Sequence, residues 1–517
     1  MIFSSWQFIF LFMPVAVAGY LLIPAKWDLG RKIWLILASF VFYGYWKIDY
    51  VPLIIFSILF NYAIAEGMFR LHGGPKAKLL LFLGLLLNLC LLGYYKYADF
   101  LIGTLRAVSG AEIELLNLLL PLAISFFTFT QIAYLVDVYR DQAKHYNFID
   151  YTLFVVFFPH LIAGPIVRHW EIIPQFSPKM PRFSSADFSL GATIFLIGLY
   201  KKLLLADPIS GVAESVFGAS QGGTTLTFFD AWFGTLAYTM QIYFDFSGYS
   251  DMAIGLARMF SIKFPVNFDS PYKAASIAEF WRSWHITLMR FFREYLYIPL
   301  GGNRCGIPRH FANILTVFLF SGLWHGAGWT FIAWGLLHGI YSVIHAAWAG
   351  FLAKMAWNPG RNPAYRVLAI ALTFLAVIFA WVLFRAHSFQ DAQSIYASML
   401  GFHGFTVPYN IGEARLGLGR LFEALGAEMV PRDQNIPGLS YAWTIHGLVI
   451  LFGIVWLLPN TQQILARMNP ILEKVQKPAK WQFRFNLAGG MLLGLPAVLA
   501  LRTFLGNQTS PFLYFNF

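Results

Sequence analysis

The chain has 517 residues, of which 58% are hydrophobic and only 12% are charged. Soluble domains carry roughly 25% charged residues, and a chain of this length with half that share cannot cover its core in water. The composition therefore excludes an ordinary soluble protein and predicts a membrane protein. Aromatic residues make up 18% of the chain, which suits aromatic belts at two membrane interfaces.

The net charge of +12 has two explanations. Basic loops on the cytoplasmic side of a multi-span protein account for most of it, and a site for an anionic cofactor or lipid head group is the other. Nucleic acid is not expected as a partner, because no soluble basic domain stands out. Cys90 lies in an apolar run and Cys305 in a basic loop, so neither a disulfide nor a thiolate metal site is predicted.

Apolar runs long enough to cross about 30 Å of hydrocarbon recur along the whole chain. They predict about 11 to 13 helices, since a membrane-spanning segment without barrel-like alternation is helical. The first run lacks a basic segment before it and a cleavage pattern after it, so it is predicted to be a retained span. The predicted spans are 7–24, 32–46, 51–66, 78–95, 115–136, 150–167, 188–206, 229–246, 311–334, 336–353, 366–385, 441–458 and 484–505.

The runs divide one integral-membrane domain, 1–517, into four regions. Residues 1–150 are N-terminal helices, 151–400 hold the polar motifs, 401–439 form a Gly-rich extramembrane excursion, and 440–517 are C-terminal helices. The excursion is predicted to be a small cap or a lateral helix pair. The two halves of the chain contain no matching broken helices, which argues against the inverted repeats of secondary transporters.

Between residues 261 and 310 the sequence is too polar to span a membrane freely. At about 100° per residue, Glu279, Arg282, Arg290 and Arg293 lie within about 80° of one another on a helix. The segment is therefore predicted to be an amphipathic helix at the interface or re-entering the protein. An interfacial anchor without chemistry and a functional element both fit this pattern.

His325 lies deep in an apolar run and is flanked by Gly322, Gly326 and Gly328. Ionisable groups at membrane depth are costly and so are functional candidates. A neutral imidazole accepts a proton, as a general base must, whereas a structural histidine bonded to a backbone carbonyl is the alternative. His285 lies forty positions earlier, and the two imidazoles are predicted to act on one reacting centre.

The segment around Asp245 and Asp251 forms another polar cluster, which either lines a polar funnel or ties helices together. Gly248 is predicted to break the helix between the two carboxylates. His338 lies about 140° around a helix from His325, so the two are not expected to grip one metal. No HExxH or membrane di-iron histidine box is present, and no metal site is predicted.

The motifs EFWRSWHITLMRFFREYLYIPLGGNR and FSGLWHGAGWTFIAWGLLHG resemble those of the membrane-bound O-acyltransferase (MBOAT) superfamily. The likeness is to the bacterial branch that O-acetylates polysaccharides such as alginate and cellulose, and more distantly to the D-alanyl transfer proteins of teichoic acid synthesis. The segments YYKYADF, FFPHLIAGPIVR, YFDFSGYSDMAIGL and the terminal PFLYFNF are also similar to that branch. The resemblance covers nearly the whole chain.

This resemblance implies an all-α polytopic fold, with a ring of helices around a central tunnel, in a bacterial inner membrane. It implies that His325 is the catalytic residue and His285 a second functional one. The expected reaction moves an acetyl group from a cytoplasmic thioester, acetyl-CoA, toward an exopolysaccharide outside, with no permanently bound cofactor. A polysaccharide or lipid flippase without covalent chemistry is the competing function.

Basic side chains near the paired motifs are candidates to bind the donor's phosphates: Arg282, Arg290, Arg293, Arg304 and Lys273. The resemblance also implies partners outside the chain. These are a periplasmic acetyltransferase of the SGNH type that completes the transfer, a polysaccharide synthase and secretion complex, and membrane lipid.

Overall fold

The computed structural model describes residues 1–177, 179–408, 423–424, 426–430, 436–505 and 512–513. The first eighteen α-helices in this part of the chain are α1 Met13–Leu22, α2 Asp28–Gly44, α3 Val51–Leu71, α4 Gly74–Leu92, α5 Ala98–Ser109, α6 Ile124–Tyr139, α7 Phe148–Val156, α8 Phe158–Leu161, α9 His169–Phe176, α10 Ser185–Tyr200, α11 Asp207–Gln221, α12 Phe228–Met259, α13 Ile277–Ser283, α14 Ile286–Phe292, α15 Ile307–His325, α16 Trp329–Lys354, α17 Pro363–Arg385 and α18 Phe389–Met399. Helices Tyr441–Leu457, Thr461–Ile464 and Leu487–Leu505 follow.

The prediction of an all-helical polytopic membrane protein is confirmed. Six helices of the described residues are long and apolar enough to cross a membrane, and three shorter ones are also apolar. The strands described are short: β1 Thr406–Pro408 pairs in parallel with β2 Glu428–Val430. Both strands lie within the predicted excursion 401–439, about half of which lies outside the described residues.

Two of the membrane-crossing helices are continuous through a π-helical segment. Gly93–Tyr97 joins α4 to α5, and Lys201–Ala206 joins α10 to α11, so that the spans run for 36 and 37 residues. A π-bulge shifts the phase of the side chains that follow it and is frequent at functional sites. Each of these bulges presents a lysine toward the protein interior.

Glycines bring α10 and α12 into backbone contact. A Cβ on Gly198 would lie 2.5 Å from the carbonyl oxygen of Gly248, and one on Gly191 would lie 2.6 Å from that of Gly255. The predicted break at Gly248 is wrong, because α12 runs unbroken from Phe228 to Met259. Gly248 allows a neighbouring helix to approach and does not terminate its own.

Three predicted spans have different bounds. The span 311–334 is interrupted, because α15 ends at His325 and α16 begins at Trp329. The span 150–167 is divided into α7 and α8 at Phe157, which has a non-helical φ of −51° and ψ of 107°. Residues 110–120 have no helix, so that α6 begins only at Ile124.

The prediction of one amphipathic helix between residues 261 and 310 is also wrong. Trp284 is extended and His285 is left-handed, with φ 45° and ψ 50°, so that the segment forms two short helices, α13 and α14. The sequence pattern placed its charges on one helical face, but a change of backbone direction separates Arg282 from Arg290. At this break, the extended Trp284 pairs with Phe268 in an isolated antiparallel bridge.

The two ends of the helices differ in charge. One end, the basic face, comprises 23–32, 168–184, 261–273 and 458–486, which carry thirteen Lys and Arg against four Asp and Glu. Hydrogen bonds join its segments: Met180 N donates to Asp28 Oδ1 (3.2 Å), Ser261 Oγ to the Arg182 carbonyl (3.4 Å), and Leu472 N to the Phe264 carbonyl (2.9 Å). The opposite face comprises 45–50, 110–123, 222–227 and 386–408, with one Lys and four acidic residues.

The positive-inside rule predicts that the basic face is cytoplasmic. Single cysteines replacing Lys179 and Arg304, in a background without Cys90 and Cys305, should react with a membrane-impermeant thiol reagent only from the cytoplasmic side. A cysteine replacing Glu112, which is exposed on the opposite face, should react from outside in intact cells. Labelling of position 179 or 304 in intact cells would contradict the assignment.

Candidate active site

The break between α15 and α16 places His325 at the end of a helix inside the protein, where its side chain is 2% exposed. Gly326 and Gly328 are extended and turn the chain over three residues. A Cβ on Gly326 would lie 2.3 Å from the Phe331 ring, and one on Gly322 would lie 2.3 Å from the Phe331 carbonyl oxygen. Only glycine permits this tight return, which fixes the position of the imidazole.

His285 occupies the other break, between α13 and α14, and is fully buried. Its Nδ1 lies 3.1 Å from Oδ1 of Asn267, which also accepts from the Thr287 backbone N–H (3.3 Å) and Thr287 Oγ (2.9 Å). A backbone N–H only donates, so the Asn267 atom facing it is the oxygen. His285 therefore carries its proton on Nδ1, and Nε2 of the neutral ring is an acceptor.

The structure brings the two predicted histidines together. The ring centroids of His285 and His325 are 6.4 Å apart, with an angle of 64° between the ring planes. Trp324 contacts both rings, at 5.6 Å from His285 and 4.9 Å from His325. Two imidazoles at this separation can both contact one small reacting group.

Aromatic side chains enclose the pair. Trp334 and Phe384 lie edge-on to His325, at 4.9 and 5.2 Å, and Phe246 lies edge-on to His285 at 4.8 Å. Such a wall excludes water and strengthens every electrostatic interaction inside it. A reacting group held between these rings is shielded from water.

Lys96 is a site residue that the sequence analysis missed. It lies in the π-helical segment of the α4–α5 span, and its Nζ donates to the Trp324 carbonyl oxygen and to Ser125 Oγ (3.4 Å). A cavity of about 60 Å³ is lined by Lys96, Ser125, Trp324 and His325 among others. The signal was available, because Lys96 is an ionisable residue inside an apolar run.

Two larger cavities lie toward the two ends of the helices. The basic-side cavity, of about 720 Å³, lies between α13, α16 and α17, and its lining includes Ser276, Tyr341, His345, Trp348 and Arg366. The opposite-side cavity, of about 430 Å³, follows the α15–α16 turn, and its lining includes Glu214, Gln241, Thr330, Phe384 and Arg385. Phe384, in the lining of the opposite-side cavity, contacts the His325 ring at 5.2 Å. The lining of the basic-side cavity includes neither His285 nor His325.

The five predicted donor-binding residues are not gathered into one patch. Arg290 is paired with Glu171 (2.7 Å) and Glu473 (3.8 Å), and Lys273 Nζ donates to the Leu458 carbonyl oxygen. The other three are exposed: Arg282, Arg293 and Arg304.

Of these, Arg282 lies near the basic-side cavity. It is close enough to His345, which lines the cavity, for the two side chains to interact electrostatically. The assignment of all five to the donor stays a prediction.

The carboxylates of α12 tie helices together. Asp245 accepts from Lys202 (2.8 Å), and Asp251 accepts from Lys201 (2.6 Å) and from Thr461 Oγ (2.6 Å). The lysines belong to the α10–α11 span, so the ion pairs cross the α10–α12 contact. The sequence left open whether these carboxylates line a polar funnel or tie helices together, and these contacts support the second role.

Within the described residues, no group of three His, Cys, Asp or Glu side chains could hold a metal ion.

Comparison with known proteins gives the site a context. The sequence pattern described as "MBOAT, membrane-bound O-acyltransferase family" matches residues 137–385, which contain both histidines. The chain is similar to the peptidoglycan O-acetyltransferase of Helicobacter pylori, with 43% identity over 81% of this chain and 84% of the relative. It is similar to the probable alginate O-acetylase AlgI of Pseudomonas putida, with 38% identity over 100% of both chains.

A weaker similarity links the chain to the teichoic acid D-alanyltransferase of Streptococcus thermophilus. The two are 28% identical over 54% of this chain and 70% of the relative. The name of that relative describes transfer of a D-alanyl group to teichoic acid.

The hydrogen bond from His285 to Asn267 predicts the tautomer of His285, which can be measured by NMR. In protein labelled with ¹⁵N-histidine, solid-state NMR should show His285 as the neutral Nδ1–H tautomer, identified by the signals that disappear in His285→Gln. Asn267→Ala should shift His285 toward a mixture of tautomers, because the acceptor that holds its proton on Nδ1 is gone. Thr287→Val, which removes one other donor to Asn267, should keep the Nδ1–H form. A native Nε2–H tautomer would contradict the assignment.

Proposed function

The chain belongs to the membrane-bound O-acyltransferase family, and we propose that it carries an acetyl group from cytoplasmic acetyl-CoA to a cell-envelope polysaccharide outside an inner membrane. It is an O-acyltransferase and a multi-pass membrane protein, which excludes a flippase without covalent chemistry. The donor, the acceptor and the membrane are the proposed part. The relatives named as alginate and peptidoglycan O-acetylating enzymes support a polysaccharide acceptor.

One observation carries the proposal: His285 and His325 face each other at 6.4 Å inside the protein, between cavities on its two faces. A donor and an acceptor on opposite sides of a membrane need a meeting point from which water is excluded. The basic face suits a donor with several phosphates, since Arg366 lines the basic-side cavity. The acceptor then enters through the opposite-side cavity.

In the proposed reaction, His325 takes the proton of the acceptor hydroxyl as its oxygen attacks the thioester carbonyl carbon. The C–O bond forms, the carbonyl oxygen becomes an oxyanion, and the C–S bond then breaks. The departing thiolate takes the proton back from His325. The products are the acetyl ester and the free thiol of coenzyme A, and both imidazoles end neutral.

The hydrogen bond to Asn267 narrows the role of His285. With its proton on Nδ1, neutral His285 offers Nε2 as an acceptor, so it suits orienting an N–H or O–H of a substrate and not donating to an oxyanion. Lys96 and His325 line the same cavity, and Lys96 Nζ is placed to donate a hydrogen bond to the developing oxyanion. Lys96, and not His285, thus supplies the donor to the oxyanion in the proposed reaction.

A polysaccharide chain is bulky, whereas the opposite-side cavity has a volume of about 430 Å³. We therefore place the final transfer on a periplasmic acetyltransferase partner that receives the acetyl group and passes it to the polymer. The polysaccharide synthase and secretion complex would supply that polymer on the same side.

The direct test replaces His325 with Ala in purified protein reconstituted with its acceptor. Acetyl transfer from [¹⁴C]acetyl-CoA should fall about 10²–10⁴-fold, the usual effect of losing a proton-transfer group. His446→Ala is the matched control, because His446 is exposed on the helix Tyr441–Leu457, and it should keep the wild-type rate. A folded His325→Ala variant with near-normal transfer would remove His325 from the mechanism.

A further inference from the structure

His338 is another buried histidine, and the proposed reaction does not use it. Its side chain is fully buried in α16, and the rings of Trp281 and Trp334 stand nearly perpendicular to it, each at 4.9 Å. Phe280 stacks parallel to it at 6.2 Å, and Tyr341 lies edge-on at 5.8 Å. The imidazole thus sits in a box of aromatic rings.

The polar atoms of this box are not paired with one another. Neither ring nitrogen of His338 has a hydrogen-bond partner among the described residues, and the same holds for the indole N–H groups of Trp281 and Trp334. Buried polar groups are hydrogen-bonded in nearly all proteins, so such a group calls for an explanation. An apolar side chain of similar shape would fill the box without this cost in free energy.

The box lies between the basic-side cavity and His325. Tyr341 lines the cavity and contacts His338, His338 contacts Trp334, and Trp334 contacts His325. The successive ring centroids are 5.8, 4.9 and 4.9 Å apart. These rings fill the space between the cavity and His325 and exclude water from it. A substrate that takes this path must displace them.

From this arrangement we infer that His338 is a positioning residue for the donor, hydrogen-bonding an amide of the pantetheine arm as the thioester reaches His325. The inference rests on the proposed function, since it takes an acyl-pantetheine thioester as the donor. A pantetheine arm alternates short apolar stretches with amide N–H and C=O groups. It therefore matches a route lined by aromatic rings with an acceptor and donors at one point.

The test is a steady-state comparison of His338→Phe with wild type. Phenylalanine keeps an aromatic ring in the box but removes both nitrogens, so KM for acetyl-CoA should rise about 10-fold while kcat changes less than 3-fold. His338→Gln, whose amide both donates and accepts, should give a KM nearer the wild-type value. His446→Phe is the matched control and should change neither constant.

Thermal unfolding of each variant separates a loss of packing from a loss of binding. If His338→Phe does not fold, His338→Met replaces it, since methionine adapts to irregular cavities, with the same expected rise in KM. An unchanged KM for acetyl-CoA in the folded variant, or a fall in kcat alone, overturns the inference while the proposed function stands. Wild-type protein that does not use acetyl-CoA would instead overturn the proposed function.

Discussion

The structure depends on keeping two imidazoles together inside an aromatic interior from which water is excluded. His325 and His285 each lie where a helix breaks, and each break has its own cause. Glycine at 326 permits the tight return of α15 into α16, and the hydrogen bonds of Asn267 hold the turn at His285. Neither ring would reach the other from the middle of a continuous helix.

Buried ion pairs hold the surrounding helices in place, although burying their charges costs desolvation free energy. Lys202 and Asp245 are each no more than 3% exposed, yet they are paired at 2.8 Å. A buried ion pair gains little net free energy, but removing one partner leaves an uncompensated charge. Together with the glycine contacts between α10 and α12, such pairs favour one helix arrangement over alternatives. The site is thereby held by a scaffold that does not take part in the chemistry.

Much of this could be predicted from the sequence. Hydropathy predicted the helical membrane fold, because lipid leaves few ways to satisfy backbone hydrogen bonds. The costly placement of His325 in an apolar run indicated a candidate functional residue. The paired motifs led to His285. The placement of Arg282 and Arg290 on one face was predicted wrongly, because a helical wheel assumes a continuous helix and the chain turns at Trp284 and His285.

Other features depend on contacts between distant segments, which a pattern along one segment does not contain. Asn267 lies in a loop without a motif of its own, and its role appears only where it meets His285 eighteen residues later. Lys96 reaches Trp324 from a span 228 residues away. Gly248 is ambiguous in sequence, since glycine both ends helices and allows them to pack closely.

In the proposed function, an acyl group crosses the membrane at a single site, which the donor reaches from the basic face and the acceptor from the opposite face. The most direct measurement uses proteoliposomes with the basic face outward, [¹⁴C]acetyl-CoA outside, and the acceptor enclosed. The claim predicts that labelled acetyl ester accumulates inside while coenzyme A stays outside, and that His325→Ala abolishes this accumulation. Ester formed only on the outer side, or coenzyme A found within the vesicles, would contradict it.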